Sequence, residues 1–168
     1  MLPARLRTFF LPACLAALAV LALSFHLENI LGLMPCPLCF SQRLLLAVYA
    51  LLSLAAVLQA PGARGIHHYA RATLGCSLAG AVLAARNVWV QGGGGAIPVC
   101  PLPIGRVLEQ SWSEAARQLL LGGPECSSLT WSFLDLTLPE WSLLAFLLLA
   151  VLPLSCLLAY RFRTLARS

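Results

Sequence analysis

The sequence predicts an all-α membrane protein, a bundle of four transmembrane helices with a long outer loop that carries a short amphipathic helix. Three observations predict it. Of the residues, 60% are hydrophobic and only 10% charged, a balance foreign to soluble domains of this size. Four stretches of membrane-spanning length carry almost no charge. The remaining charges separate by sign between the two ends of those stretches. Lys is absent, so the net charge of +5 comes from eleven Arg against six acids. No Arg cluster is interleaved with aromatic residues, which argues against a nucleic-acid partner and for membrane lipid.

The first span is expected at about 9–27, an uncharged run after Arg5 and Arg7. Basic residues before an apolar run, with Ala22-Leu23-Ser24 as a small-x-small site, also mark cleaved signal peptides. This run exceeds the apolar core of such a peptide and three more spans follow it, so it reads as a retained helix. The second span is expected at about 42–59. Pro61 to Arg71 then reads as a hydrophilic connector. Its adjacent His67 and His68, with no acid or thiol beside them, read as solvated surface rather than metal ligands.

The third span, about 72–90, is the weakest, holding Gly75, Ser77, Gly80, Arg86 and Asn87. Its small residues permit close helix contact. The loop, 91–140, opens with Gly92-Gly93-Gly94-Gly95. Within it Ile104, Leu108, Trp112, Ala115 and Leu119 recur at helical spacing, with Arg106, Glu109, Glu114 and Arg117 between them, the pattern of a helix lying on a bilayer surface. The fourth span, 141–160, is the clearest, with Pro153 placed to kink it and Arg161, Arg163 and Arg167 after it. Residues 1–168 read as a single membrane domain.

With four spans, the N-terminus, the Pro61–Arg71 connector and the C-terminus share one side. That side holds Arg5, Arg7, Arg64, Arg71, Arg161, Arg163 and Arg167 and no acid, while Glu28, Glu109, Glu114, Glu125, Asp135 and Glu140 all fall on the other. Positively charged residues are retained in the cytoplasm, so both termini are expected there and the long loop outside. Trp89, Trp112, Trp131 and Trp141 fall in or beside the outer region, where an aromatic belt is expected.

The cysteines divide by side as well. Cys14, Cys76 and Cys156 sit near the inner ends of spans and read as packing residues in a reducing compartment, whereas Cys36, Cys39, Cys100 and Cys126 lie outside, where disulfides persist. Pro35-Cys36-Pro37-Leu38-Cys39-Phe40-Ser41-Gln42-Arg43 is the stretch around which the chain is organised. Pro37 suits the first helical position, which puts Cys39 in the first turn, with Arg43 four residues on along the same face. The helix N-terminus and the guanidinium both favour thiolate over thiol. Four cysteines can pair in three ways; a local Cys36–Cys39 pair would leave Cys100–Cys126 as a bridge within the loop. A structural disulfide and a four-thiolate zinc site remain alternatives, the latter competing with disulfide formation in an oxidising compartment. Two disulfides beside a lipid phase suggest an electron relay, one pair exchanging with a soluble protein and the other passing electrons to something dissolved in the bilayer.

Four spans, Pro-Cys-Pro-Leu-Cys39 with Arg43 four residues later, and a two-cysteine loop before the last span resemble the disulfide bond formation protein B (DsbB) family over nearly the whole chain. Pro124-Glu125-Cys126, then Trp131-Ser132-Phe133-Leu134-Asp135-Leu136 and Pro139-Glu140-Trp141, is similar to the family's run after its last cysteine. The resemblance implies a quinone-dependent thiol oxidase of the bacterial inner membrane. It implies that Cys100 and Cys126 form the bridge that oxidises the thioredoxin-like partner DsbA, with Cys100 entering the mixed disulfide. Cys36 and Cys39 would reoxidise that bridge, Cys39 facing a bound quinone, ubiquinone in the first instance, with Arg43 as its binding residue and no metal. The sequence departs from the family pattern at Glu28-Asn29, where some members have Gln-His, and at Gly92–Gly95, where some have a histidine near the quinone.

Overall fold

The computed structural model describes residues 2–31, 37–92, 111–121, 132–133 and 136–165. Cys36, Cys100 and Cys126 lie outside these residues, as do Trp131 and the Ile104–Glu109 half of the expected surface helix. Five helices account for almost everything described: α1 (Leu2–Leu31), α2 (Pro37–Gln59), α3 (Ala63–Gly92), α4 (Trp112–Leu121) and α5 (Leu138–Leu165). A minimal antiparallel pair, β1 (Ser132–Phe133) and β2 (Leu136–Thr137), precedes α5, with Ser132 opposite Thr137 and Phe133 opposite Leu136.

Four of the helices are long and apolar enough to cross a membrane: Phe9–Ile30, Pro37–Gln59, Arg64–Val90 and Leu138–Phe162, with mean hydropathies of 2.1, 1.7, 1.2 and 2.5. They pack in chain order, α1 on α2, α2 on α3 and α3 on α5, and α5 closes against α1. Leu15, Leu51, Leu58, Val82 and Leu148 point outward. In water that girdle would drive aggregation, whereas in lipid it is simply solvated. The protein is a multi-pass membrane bundle.

The helix ends follow local chemistry rather than hydropathy. Pro37 opens α2, where its missing N–H costs nothing. At the other end of α2, Ala60 adopts φ 42°, the left-handed turn that usually ends a helix on glycine, and Pro61 prevents continuation. The connector after it is much shorter than expected: α3 already begins at Ala63, and Ile66 N–H donates to Gly62 O at 3.1 Å. Arg64, His67, His68 and Arg71 mark where the apolar phase ends, but none of them stops a helix, so the helix runs on past it. His68 is exposed as expected; His67 is not, its ring standing edge-on to Tyr160 at 3.8 Å.

The core is narrow and built on close approach. Tyr49 and Phe146 are fully buried, and Tyr49 Oη donates to Leu149 O at 2.9 Å, fastening α2 to α5. Gly80 is the contact point of α3 and α5, because a methyl there would overlap the Phe146 ring. Gly75, by contrast, faces open space. At the start of α5 the Glu140 side chain reaches back to Thr137, whose N–H and Oγ1 both donate to Glu140 Oε2, at 2.6 and 2.9 Å.

α4 covers one end of the bundle. Ser111 starts it, its carbonyl accepting from the N–H groups of Glu114 and Ala115 at 3.0 Å. Ala115 is buried and Leu119 and Gln118 half-buried, while Trp112, the first residue of the helix, is 90% exposed. The helix C-terminus leaves carbonyls that need donors. Ser41 Oγ of α2 reaches Leu119 O at 2.8 Å, and Arg86 Nε of α3 reaches Leu121 O at 3.3 Å.

Candidate functional site

Cys39 stands in the first turn of α2, directly beneath the end that α4 covers. Its neighbour Leu38 is fully buried and packs with Cys39 against Leu83 and Val90 of α3. Between those two α3 residues, Asn87 is also fully buried, and its Nδ2 donates to Cys39 Sγ at 3.6 Å. A buried amide in an apolar span is costly unless bonded. Here one of its bonds goes to the sulfur that the sequence marks as reactive.

Arg43 lies one turn further along α2, and its hydrogen bonds run to α1 rather than to Cys39. Nε donates to Ser24 Oγ at 2.8 Å, Nη2 to Ser24 O at 3.2 Å and Nη1 to Glu28 Oε2, while the guanidinium carbon sits 4.7 Å above the Phe25 ring. The Arg43–Glu28 ion pair is largely enclosed, with side-chain exposures of 14% and 26%. Two of the five guanidinium N–H groups keep no acceptor among the described residues. Gln42, between Cys39 and Arg43 in sequence and turned into the bundle, is 5% exposed, and its Nε2 has no hydrogen-bond partner among the described residues. At 100° per residue, Gln42 and Arg43 project to opposite sides of the Cys39 direction. The turn that follows Cys39 thus carries two donors with spare N–H capacity among the described residues, and a third, Asn87 Nδ2, touches the sulfur.

The three cysteines expected to be packing residues are held differently. Cys14 Sγ donates to Ala50 O at 3.6 Å and Cys76 Sγ to Leu45 O at 3.2 Å, both across helix pairs, and Cys156 packs against the cluster of Phe10, Ala56 and Ala70.

Sequence reasoning placed Cys39 and Arg43 on one helix but missed Asn87, Glu28 and Gln42 as parts of the same layer. A signal was present for Asn87: an amide inside an apolar span marks a site more often than a weak span. Glu28 had counted only toward the charge asymmetry and as a departure from the family pattern.

The model of the family described as "Disulfide bond formation protein DsbB" matches residues 6–156, a range that contains Cys36, Cys39, Cys100 and Cys126. The chain belongs to the DsbB family. Its relatives include a Disulfide bond formation protein B 2 of Pseudomonas putida, 82% identical over 168 residues and all of both chains. Another Disulfide bond formation protein B 2, of Pseudomonas entomophila, is 59% identical over 94% of each chain. A Disulfide bond formation protein B 1 of Pseudomonas aeruginosa is 38% identical over 83% of this chain and 87% of its own. No solved structure matches. Membership in the DsbB family makes this a membrane protein of disulfide bond formation, a disulfide oxidoreductase.

Proposed function

We propose that this protein reoxidises a periplasmic DsbA-like thiol-disulfide oxidoreductase and delivers the electrons to a membrane quinone, ubiquinone in the first instance. The observation that carries the reading is the placement of Cys39: first turn of an apolar helix, sulfur accepting from a buried amide, Arg43 one turn on. In this scheme the reduced partner's thiolate attacks Cys100, Cys126 leaves, and a second thiolate of the partner resolves the mixed disulfide. The Cys100–Cys126 dithiol then passes its two electrons to Cys36–Cys39 by the same exchange.

The described residues fit a quinone: among them Arg43 retains two N–H donors and Gln42 Nε2 lacks an acceptor, so these two would hold its carbonyl oxygens. When bound, the quinone takes up two electrons and two protons as Cys36 and Cys39 close their disulfide. The protein's part is to keep the Cys39 sulfur oriented and to keep water away through Leu38, Leu83 and Val90. The seven Arg on the side of the two termini support an inner-membrane orientation with both termini cytoplasmic and the redox cysteines periplasmic.

The test is to mix reduced DsbA-like protein, a quinone and this protein in detergent and follow quinol. Quinol is expected to form in proportion to the partner's thiols consumed. A folded preparation that makes none, or a Cys39→Ser variant that makes as much, would sink the reading. Labelling intact cells with an impermeant thiol reagent checks the orientation: reduced Cys100 and Cys126 are expected to react and Cys156 is not.

A further inference from the structure

We propose that Asn87 is a positioning residue for Cys39, its amide holding the sulfur in the negatively charged form that gives up electrons. The inference rests on the reading of Cys39 as one half of a redox pair, and it concerns a residue on a different helix from the Cys-x-x-Cys motif.

Three features of the site carry it. First, Asn87 has no accessible surface, and the neighbouring positions on its helix face, Leu83 and Val90, are apolar and packed on Leu38. A leucine at 87 would suit these surroundings, so packing does not explain an amide there. Second, the sense of the hydrogen bond is fixed by chemistry. Nδ2 can only donate, so Cys39 Sγ is the acceptor at 3.6 Å. A thiol is a weak acceptor and a thiolate a strong one, so this bond gains most when the sulfur is charged. Third, Arg43 directs its hydrogen bonds to Ser24 and Glu28 and shares its charge with the carboxylate. The neutral amide therefore does what the cation was expected to do, and does so inside an apolar layer where a donor counts for more than in water.

The consequence is redox poise. When the pair is oxidised, the Cys36 thiol loses its proton, the S–S bond forms and two electrons leave for the quinone; Asn87 gives and takes no proton. By favouring the reduced form, the amide makes Cys36–Cys39 the stronger oxidant toward the loop dithiol.

The experiment uses the full-length protein in detergent with Cys100 and Cys126 changed to Ser, equilibrated in glutathione buffers and alkylated, the disulfide fraction being read by mass. Asn87→Leu removes the donor at similar size, Asn87→Ala removes it without adding bulk, and Asn87→Gln keeps it. The Leu and Ala variants are expected to hold their disulfide in a buffer about tenfold more reducing than wild type, a fall of about 30 mV. The Gln variant is expected to stay within about threefold of wild type, since the donor remains. A wild-type protein that forms no Cys36–Cys39 disulfide would overturn the redox reading itself. With that disulfide present, Leu and Ala variants indistinguishable from wild type would overturn the role of Asn87. So would equal shifts in all three variants, which would mean that packing rather than the donor sets the potential.

Discussion

In the middle of the bundle Cys76 Sγ donates to Leu45 O and Cys14 Sγ donates to Ala50 O, whereas under α4 Cys39 Sγ accepts from Asn87 Nδ2. All three sulfurs lie in apolar helices, Cys14 and Cys76 buried and Cys39 half-buried, and the sense of the hydrogen bond sets Cys39 apart. A sulfur that donates to a backbone carbonyl forfeits the bond if it loses its proton and would then face a carbonyl oxygen as an anion. A sulfur that accepts from an amide gains by losing it. Under the proposed function, the mid-bundle layer keeps its thiols out of the chemistry and the α4 layer presents one to it, although the residues come from the same helices.

The comparison breaks most visibly at the sulfurs. Cys39→Ser is expected to reduce quinol formation to background, a loss of about a thousandfold or more, as removal of a reacting group does. Replacing Cys14, Cys76 and Cys156 together by Ala is expected to leave turnover within about threefold, at about 1 kcal/mol of stability per site. Steady-state quinol assays beside thermal unfolding of the same preparations check both halves. A triple variant that folds normally but has lost its turnover would erase the distinction between the layers.

A second contrast lies between charge and shape. Arg43→Ala is expected to weaken apparent quinone affinity about tenfold, the worth of one charge-assisted hydrogen bond. Arg43→Lys is expected to recover part of that, since it restores the charge but not the forked geometry. Quinone titrations of wild type and both variants decide it, and an unchanged affinity in the Ala variant would leave Arg43 as a clasp between α1 and α2. Gly80→Val, in the other layer, drives methyl groups into the Phe146 ring and is expected to cost about 1–3 kcal/mol of stability. The potential of the Cys36–Cys39 pair should not move. The smallest effect is expected at the far end: Ala60→Gly relieves a left-handed backbone and should add up to about 1 kcal/mol, read as a higher unfolding midpoint with no change in turnover.

What could be read from the sequence follows from what lipid selects. Uncharged length marks the four spans because a charged group is costly in hydrocarbon, and Pro37 marks the start of α2 because proline has few helical positions open to it. Which face of a span turns inward is a different question. The outward-pointing Leu15, Leu51 and Leu148 are as apolar as the core residues Leu46 and Leu149, so hydropathy carries no sidedness, and the inward stripe of Leu38, Gln42, Leu46 and Tyr49 could not be separated from its neighbours. The Glu28–Arg43 pair joins residues 15 apart on two helices and depends on how α1 and α2 cross. The start of α3 at Ala63 was hidden because polarity was taken for a helix end.

Arg86 and Asn87 are consecutive in α3, and each fastens something different: Arg86 holds the C-terminal carbonyl of α4, and Asn87 holds the Cys39 sulfur. Side chains one residue apart leave a helix about 100° from each other, on a common rigid shaft. A twist of that shaft would therefore loosen the extramembrane cover and reset the sulfur in one movement. The α4 cover and the Cys39 sulfur are geared to the same axle.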